Sequence, residues 1–197
     1  MATTGFGFGS RDAQVFWGEI APCEHIVQLY DSDNNLMENL ARFVAAGLNA
    51  GESAVVIATP QHLRELASRL AEMQTDLQSA AAEDRYITMD AAIGLASFMV
   101  QNWPDDQRFS QFVDNLIRRA AVNDRRVRVF GEMVALLWAR GQSAATVRLE
   151  HLWQQFCESQ SFSLFCAYPR AGLTKDPTDS FAAICAAHTL VLSESAA

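Results

Sequence analysis

The sequence lacks the features by which membrane and secreted proteins are commonly identified. No apolar run approaches the roughly 20 residues that a membrane-spanning helix needs. The first residues show neither the basic segment nor the apolar segment of a secretion signal. We therefore expect a cytoplasmic protein that has no membrane among its partners.

Basic residues are also scarce. The 15 lysines and arginines are outnumbered by 23 aspartates and glutamates, which gives a formal net charge of −8 at pH 7. A protein that reads DNA or RNA needs a basic face, so we expect no direct contact with nucleic acid. The one basic cluster consists of Arg118, Arg119, Arg125, Arg126 and Arg128. We expect these arginines to form a solvent-exposed rim near the start of a strand.

Cysteines are few and widely spaced. The four cysteines are Cys23, Cys157, Cys166 and Cys185, and no two of them form a Cys-x-x-Cys pair. In a chain of this size, that spacing is typical of free thiols in a reducing compartment. This is a second reason to expect a cytoplasmic location.

The sequence also lacks the common catalytic motifs. A phosphate-binding loop needs the pattern GxxxxGK[ST] after a strand, whereas the buried run at residues 53–58 is followed by Thr59-Pro60-Gln61-His62. No serine lies in a GxSxG turn. We therefore expect a protein that is not an enzyme. The open alternative is an enzyme that uses Glu132 and His188 as acid and base, or a thiol–zinc site.

The composition is that of a folded domain. Half of the 197 residues are hydrophobic and 19% are charged, which excludes a disordered chain. Glycine and phenylalanine alternate from Gly5 to Gly9, and flexible glycines oppose regular structure. We predict a flexible arm over residues 1–21, a domain over residues 22–192 and a frayed tail over residues 193–197.

Short apolar runs alternate with helical patterns along the domain. Apolar residues recur every three or four positions after the first run, as Leu36, Leu40 and Phe43 show, and this period predicts helices. The alternation predicts a three-layer α/β/α domain with a mainly parallel sheet. The predicted strands are residues 25–30, 53–58, 85–89, 127–130 and 162–168.

Ligands of an open parallel sheet bind beyond the carboxyl ends of its strands. The residues at these ends are Asp31, Thr59, Asp90, Glu132 and Tyr168. Glu132 is the strongest candidate because Phe130-Gly131-Glu132 places a carboxylate where the chain leaves a buried strand; the alternative is a helix-terminal acid favoured by the dipole. We expect Asp31 and Asp90 to act as helix caps.

Other chemically capable side chains have structural explanations. Trp138 lies at a core-facing helical position, where packing is its usual role. We expect His62 to be exposed, and the adjacent Glu150 and His151 to lie on a helix surface, since neighbouring helical residues do not face each other. Cys166 lies within a predicted strand and is expected to act as a small buried hydrophobe.

Two close Cys/His pairs raise the question of a metal. Cys23 and His25 flank the start of the first strand, and Cys185 and His188 share one face of a predicted helix. Two thiolates and two imidazoles suit zinc if the segments meet in space. Nothing in the spacing shows that they meet, so our expectation is a protein without a metal or other cofactor.

Several motifs together resemble one family, the MEDS sensory domain of methanogens, methylotrophs and the regulator DcmR. The resemblance covers about residues 23–192. The motifs are His25-Ile-Val-Gln-Leu-Tyr30, Gly47-Leu48-x-x-Gly51-Glu52, Thr59-Pro60-x-His62, Met89-Asp90-Ala91, Phe130-Gly131-Glu132-Met133-Val134 with Leu137-Trp138, Leu149-Glu150-x-Leu152-Trp153, Phe162-Ser-Leu-Phe-Cys-Ala-Tyr-Pro169 and the late His188.

The resemblance implies a RecA/KaiC-like fold without a functional phosphate-binding loop. It also implies a sensory module that binds small hydrocarbon derivatives, such as halogenated or methylated compounds. Members of the family are found fused to histidine kinases or DNA-binding regulators. The family positions that face a ligand match Glu132, Trp138, Glu150, Tyr168, His25 and His188 here, and the strand-end argument adds Thr59.

The leading hypothesis is therefore a non-catalytic bacterial or archaeal sensory domain. It binds a small molecule and transmits its state to a separate partner, such as a histidine kinase or a transcriptional regulator. The alternative is an interaction module that occupies a signalling protein without a ligand, through its aromatic arm and acidic surface. A homodimer is compatible with either hypothesis.

Overall fold

The computed structural model describes residues 17–170 and 179–193. Most of the predicted arm, and all of the predicted tail but residue 193, lie outside the described residues. The strands are β1 (His25–Tyr30), β2 (Ser53–Ala58), β3 (Tyr86–Asp90), β4 (Met99–Val100), β5 (Trp103–Pro104), β6 (Val127–Gly131), β7 (Ser163–Pro169) and β8 (Leu190–Ser193).

Helices connect these strands. They are α1 (Asp33–Asn49), α2 (Pro60–Glu72), α3 (Leu77–Ala82), α4 (Ala91–Phe98), α5 (Asp106–Ala120), α6 (Met133–Ala139), α7 (Ser143–Gln160) and α8 (Asp179–Ala186). A 3₁₀ turn at Val122–Asp124 precedes β6. No helix in the described ranges is both long and apolar enough to cross a membrane.

The central sheet has six strands in the order β3-β2-β6-β7-β1-β8. Its neighbouring strands all run parallel, and β4 and β5 form a separate antiparallel pair. Strands β1, β2 and β6 are buried along their whole length, as expected for a parallel sheet covered by helices on both faces. The predicted mainly parallel sheet is confirmed.

Each face of the sheet carries its own apolar core. One core joins α1 and α2 to the sheet through residues such as Leu40 and Leu66. The opposite core joins α4 to α8 to the sheet, with Phe109 and Trp153 among its largest members. The domain is therefore a three-layer α/β/α structure, as predicted.

Short polar side chains set the starts of several helices. The Thr59 hydroxyl accepts a hydrogen bond from the His62 amide at the start of α2, and Asp90 accepts from the first turn of α4, as N-caps do. Asp31 was expected to cap α1, but that prediction is wrong because Ser32 holds the cap position. Asp31 pairs instead with Arg170 beyond the end of β7.

The prediction that the clustered arginines form a solvated rim is wrong for Arg128. Arg128 points into the α1 side of the core and is 2% exposed, because β6 is covered on both faces. Its Nε donates to Glu52 Oε2 over 2.5 Å, and its Nη1 donates to the carbonyls of Trp17 and Phe43. The chain just before β1 is thereby attached to the core.

Candidate functional site

The structure divides the predicted site residues between two places. One group, the strand-end cluster, lies beyond the carboxyl ends of the strands and consists of Tyr30, Asp33, Thr59, His62 and Glu132. The other, the buried cluster, lies between the sheet and helices α7 and α8 and consists of His25, Glu150, Cys166, Tyr168 and His188.

Glu132 lies at the centre of the strand-end cluster. It directly follows β6, whose neighbour β2 ends at Ala58, just before Thr59. Helix α2 leaves β2 toward one face of the sheet, and α6 leaves β6 toward the other. Neighbouring strands whose helices diverge in this way form the topological switch point at which open α/β sheets typically bind ligands. The Glu132 amide donates to the Ile57 carbonyl, and Glu132 Oε2 accepts from the Thr59 amide over 2.8 Å.

His62 was expected to be exposed, but it is buried against Glu132. Its Nδ1 lies 2.8 Å from Glu132 Oε1, and its Nε2 lies 3.7 Å from Asp33 Oδ2. The prediction failed because the first turn of α2 faces the residue after β6, which is distant in sequence. Hydrogen bonding to Glu132 raises the pKa of His62; burial opposes this rise, and the charges of Glu132 and Asp33 add to it.

Tyr30 and Asp33 complete this cluster. Burial raises the pKa of the Tyr30 phenol above its usual range, and the negative charges of Glu132 and Asp33 raise it further, so Tyr30 stays protonated. The Asp33 side chain is 53% exposed and forms the solvent edge of the cluster. The strand-end cluster therefore combines a buried carboxylate and a buried imidazole with an exposed carboxylate at its edge.

Glu150 lies at the centre of the buried cluster and is fully buried. The prediction of a surface position is wrong because this face of α7 packs on the sheet. The Tyr168 hydroxyl donates to Glu150 Oε1. Glu150 Oε2 lies 3.5 Å from His25 Nε2 and 3.6 Å from His188 Nε2.

The surroundings of Glu150 determine the protonation states of this cluster. Burial would raise the pKa of Glu150, but His188, His25 and Tyr168 together lower it. Burial lowers the pKa of His188 to about 4. Burial and the Glu150 charge raise the pKa of the Cys166 thiol and of the Tyr168 phenol. At neutral pH, Glu150 is therefore a carboxylate, His188 is neutral, and both Cys166 and Tyr168 keep their protons.

Trp138 packs beside the buried cluster. Its ring meets that of Tyr168 edge-on, with 6.1 Å between centroids, and it is buried as predicted. The family resemblance placed Trp138 and Tyr168 with Glu132 among the ligand-facing residues. The Tyr168 hydroxyl is directed to Glu150 instead, so the predicted ligand-facing residues divide into two sites.

Half of the Cys/His set that was considered for zinc comes together in the structure. Among the described residues, His25 and His188 do meet, with ring centroids 3.8 Å apart. Neither Cys23 nor Cys185 belongs to the group of potential metal ligands that forms around them. The atoms of that group lie within 4.8 Å of one another and come from His25, Glu150, Cys166 and His188.

Sequence analysis treated Cys166 as a structural residue. The strand period could have identified Cys166 as a site residue, because residues two apart on a strand share a face. Cys166 and Tyr168 occupy such positions in β7, beside β1, so a ligand-facing Tyr168 implies the same face for Cys166.

Exposed apolar side chains lie on α4 and on the β4–β5 pair, and none of them belongs to either cluster. Ile93 on α4 is 69% exposed, while Val100 and Trp103, opposite each other in the β4–β5 pair, are 38% and 47% exposed. Large apolar groups exposed close together commonly mark interaction surfaces.

Comparisons with known proteins bear on both the fold and the role of this chain. Residues 24–189 match the family model described as MEDS, the methanogen/methylotroph, DcmR sensory domain. Among solved structures, a KaiC-like protein from the hyperthermophilic archaeon Pyrococcus horikoshii is similar in fold, with a TM-score of 0.57 and 12% sequence identity. The similarity covers 87% of this chain and 73% of that one, and it confirms the expected KaiC-like architecture. The comparison with curated proteins found no match.

Proposed function

Because this chain belongs to the MEDS family of sensory domains, we propose that it binds a small molecule and transmits its state to a separate signalling protein. The proposed role is non-catalytic. The turns after β1 and β2 carry neither the glycines nor the lysine of a phosphate-binding loop, which supports a role other than nucleotide hydrolysis.

The proposed ligand site is the strand-end cluster. The observation that carries this proposal is the position of Glu132, a 5% exposed carboxylate at the switch point beyond the ends of β2 and β6. Small-molecule sites typically combine such a polar anchor with apolar surroundings. Asp33, at the solvent edge, lies where a ligand would enter.

The proposed ligand class rests on the family and on Glu132 as a single polar anchor. We propose a small hydrocarbon derivative, such as a methylated or halogenated compound. Glu132 and His62 would supply one acceptor and one donor to its polar group. A ligand without a polar group would instead rest on the apolar side chains beside the cluster.

Signalling would proceed through the helices that meet at Glu132. Its side chain holds the Thr59 amide at the start of α2, and its backbone immediately precedes α6. A ligand that takes over either contact of Glu132 would favour another arrangement of these two helices. It can shift the equilibrium only by its difference in affinity for the two arrangements. The receiving partner would be a histidine kinase or a transcriptional regulator.

Saturation-transfer NMR on the purified protein tests this proposal. Dichloromethane, methanol and methylammonium serve as probes because they represent the halogenated, hydroxylated and cationic classes. The test variant is Glu132→Gln, which keeps the size of the side chain and removes its charge. The control is Glu38→Gln, since Glu38 is a half-exposed glutamate paired with Arg42 on α1.

We expect at least one probe to receive saturation from the wild-type protein and from Glu38→Gln, and to receive much less from Glu132→Gln. Equal transfer from all three proteins would remove Glu132 from the site. No transfer from any protein to any probe would contradict binding of this ligand class.

A second candidate function, an interaction module without a ligand, is favoured by the exposed apolar side chains of α4 and the β4–β5 pair. Ile93, Val100 and Trp103 expose apolar area that a protein partner could cover. Under this alternative, Trp103→Ser would abolish capture of a signalling partner, while Glu132→Gln would leave it unchanged. The opposite result would favour the sensory proposal.

A further inference from the structure

We propose that the buried cluster contains a binding site for a zinc ion, with four ligands: His25, Glu150, Cys166 and His188. This inference goes beyond the proposed sensory function and does not depend on it, because the strand-end cluster shares no residue with this site. The four side chains come from β1, α7, β7 and the segment after α8.

The spacing of the ligand atoms fits a tetrahedral ion. Zinc binds nitrogen and oxygen at about 2.0–2.2 Å and sulfur at about 2.3 Å, which places neighbouring ligand atoms about 3.3–3.8 Å apart. Glu150 Oε2 lies 3.5 Å from His25 Nε2, 3.6 Å from His188 Nε2 and 3.8 Å from Cys166 Sγ. Cys166 Sγ lies 3.5 Å from His25 Nε2. These four of the six separations match those of a tetrahedral zinc site. The other two, from His188 Nε2 to His25 and to Cys166, lie within 4.8 Å and would adjust on binding.

Both imidazoles are oriented as metal ligands. His25 Nδ1 lies 2.9 Å from the Ala187 carbonyl and 3.0 Å from Gln154 Oε1. His188 Nδ1 lies 2.6 Å from the Ile184 carbonyl. Because these oxygens can only accept a hydrogen bond, each Nδ1 donates outward, and each Nε2 faces Glu150. Outer partners of this kind typically orient metal-bound histidines.

The centre of the cluster has few donors. Glu150 Oε2 faces His25 Nε2 at 3.5 Å and His188 Nε2 at 3.6 Å, and the donor to that oxygen among the described residues is the weak Cys166 thiol at 3.8 Å. His188 Nε2 has no hydrogen-bond partner among the residues that the structure describes. Buried polar atoms without a strong partner are costly. A cation at the centre would contact all of these atoms.

The charge and closure of the site favour a structural zinc ion. Binding of Zn²⁺ to the Cys166 thiol releases its proton to solvent and leaves a thiolate. The two positive charges then balance that thiolate and the Glu150 carboxylate, so the buried site is neutral. Four protein ligands leave no open position, which is typical of structural rather than catalytic zinc. The ion would hold His188, and with it α8 and β8, against the sheet.

The test is a metal titration of the untagged chain after removal of metal with a chelator. Zinc uptake is measured by elemental analysis and by competition with a chromophoric chelator, and Co²⁺ serves as a spectroscopic probe. We expect about one zinc ion per chain. The cobalt form should show the strong visible absorption of a tetrahedral site and a thiolate charge-transfer band.

Two variants with matched controls identify the ligands. Cys166→Ala and His188→Gln should each weaken zinc binding by at least about 10-fold. Cys185→Ser and His151→Gln should bind zinc like the wild-type protein, because neither residue belongs to the cluster. Gln154→Leu removes the side chain that contacts His25 Nδ1, and it should weaken zinc binding by about 10–100-fold. Circular dichroism shows whether each variant is folded.

The wild-type protein decides the question even if a variant fails to fold. Failure of the folded, metal-free protein to bind zinc stoichiometrically would overturn the proposal. A cobalt spectrum without a thiolate band, or equal loss of zinc in variants and controls, would overturn it as well. Each of these results would leave the Glu132 proposal untouched.

Discussion

Replacement of Glu132 by glutamine should change the stability of the protein in a pH-dependent way. The glutamine oxygen can still accept from the Thr59 amide, but it cannot pair with a charged His62. Hydrogen bonds to charged groups contribute about 1.5–3 kcal/mol and neutral ones about 0.5–1.5 kcal/mol. We therefore expect Glu132→Gln to lower the free energy of unfolding by about 1–2 kcal/mol at mildly acidic pH.

The sign of the pH dependence follows from the raised pKa of His62. The unfolded chain has a histidine pKa of about 6.5. Below that pH, His62 is protonated in both states and the stabilisation is fully present. As pH rises through the higher folded pKa, His62 loses its proton and the stabilisation is lost. The difference between wild type and Glu132→Gln should therefore shrink across this range.

Urea denaturation followed by tryptophan fluorescence, between about pH 5.5 and 8.5, measures this difference. The other histidines are common to both proteins and cancel in the comparison. Glu38→Gln serves as the control and should change the free energy of unfolding by less than about 0.5 kcal/mol. Parallel stability curves for wild type and Glu132→Gln over this pH range would refute the proposed His62–Glu132 pairing.

Three further substitutions test the packing that supports the sites, each by its effect on urea unfolding. Arg128→Met should cost about 3 kcal/mol because Glu52 loses its buried partner and keeps only the 3.4 Å contact with the half-exposed Arg126. Gly47→Ala should cost about 1–3 kcal/mol, because its methyl group would lie 2.6 Å from Arg128 Cδ. Asp90→Ala removes the cap of α4 and should cost about 1 kcal/mol. A change below about 0.5 kcal/mol in any of them would contradict the contact concerned.

The sheet could be predicted from the sequence because its strands are continuous apolar runs. Strands β1 and β2 have the predicted bounds, while β3 and β7 begin one residue later than predicted. Each run is bounded by polar or glycine residues. A strand that is buried on both faces can be recognised from its own apolar residues, without knowing which strand it pairs with. The order of the strands was not predicted, since it depends on pairings between distant segments.

The elements that sequence analysis missed are short. Helix α3 has six residues, three of them alanine, and shows no apolar period. Strands β4 and β5 have two residues each, and β8 has four. Such segments carry too little pattern to be distinguished from loops. Strand β8 is nevertheless important, because it brings the chain after His188 back beside β1.

Burial of polar side chains was the least predictable feature. His62, Arg128 and Glu150 were expected at the surface because charged residues usually lie there. Each is buried because a partner distant in sequence satisfies it: Glu132, Glu52 and Tyr168, respectively. The sequence identified Glu132, His25 and His188 as candidates, but their grouping into two sites depends on the folded sheet.

The most direct test of the sensory account is an amide NMR map of the ligand site. Spectra of the isotope-labelled protein are recorded with increasing amounts of the probe that gives the strongest saturation transfer. The account predicts the largest shift changes at the Thr59, His62, Gly131 and Glu132 amides, and their loss in Glu132→Gln. Changes confined to other parts of the sheet, or no changes at saturating probe, would contradict a ligand site in the strand-end cluster.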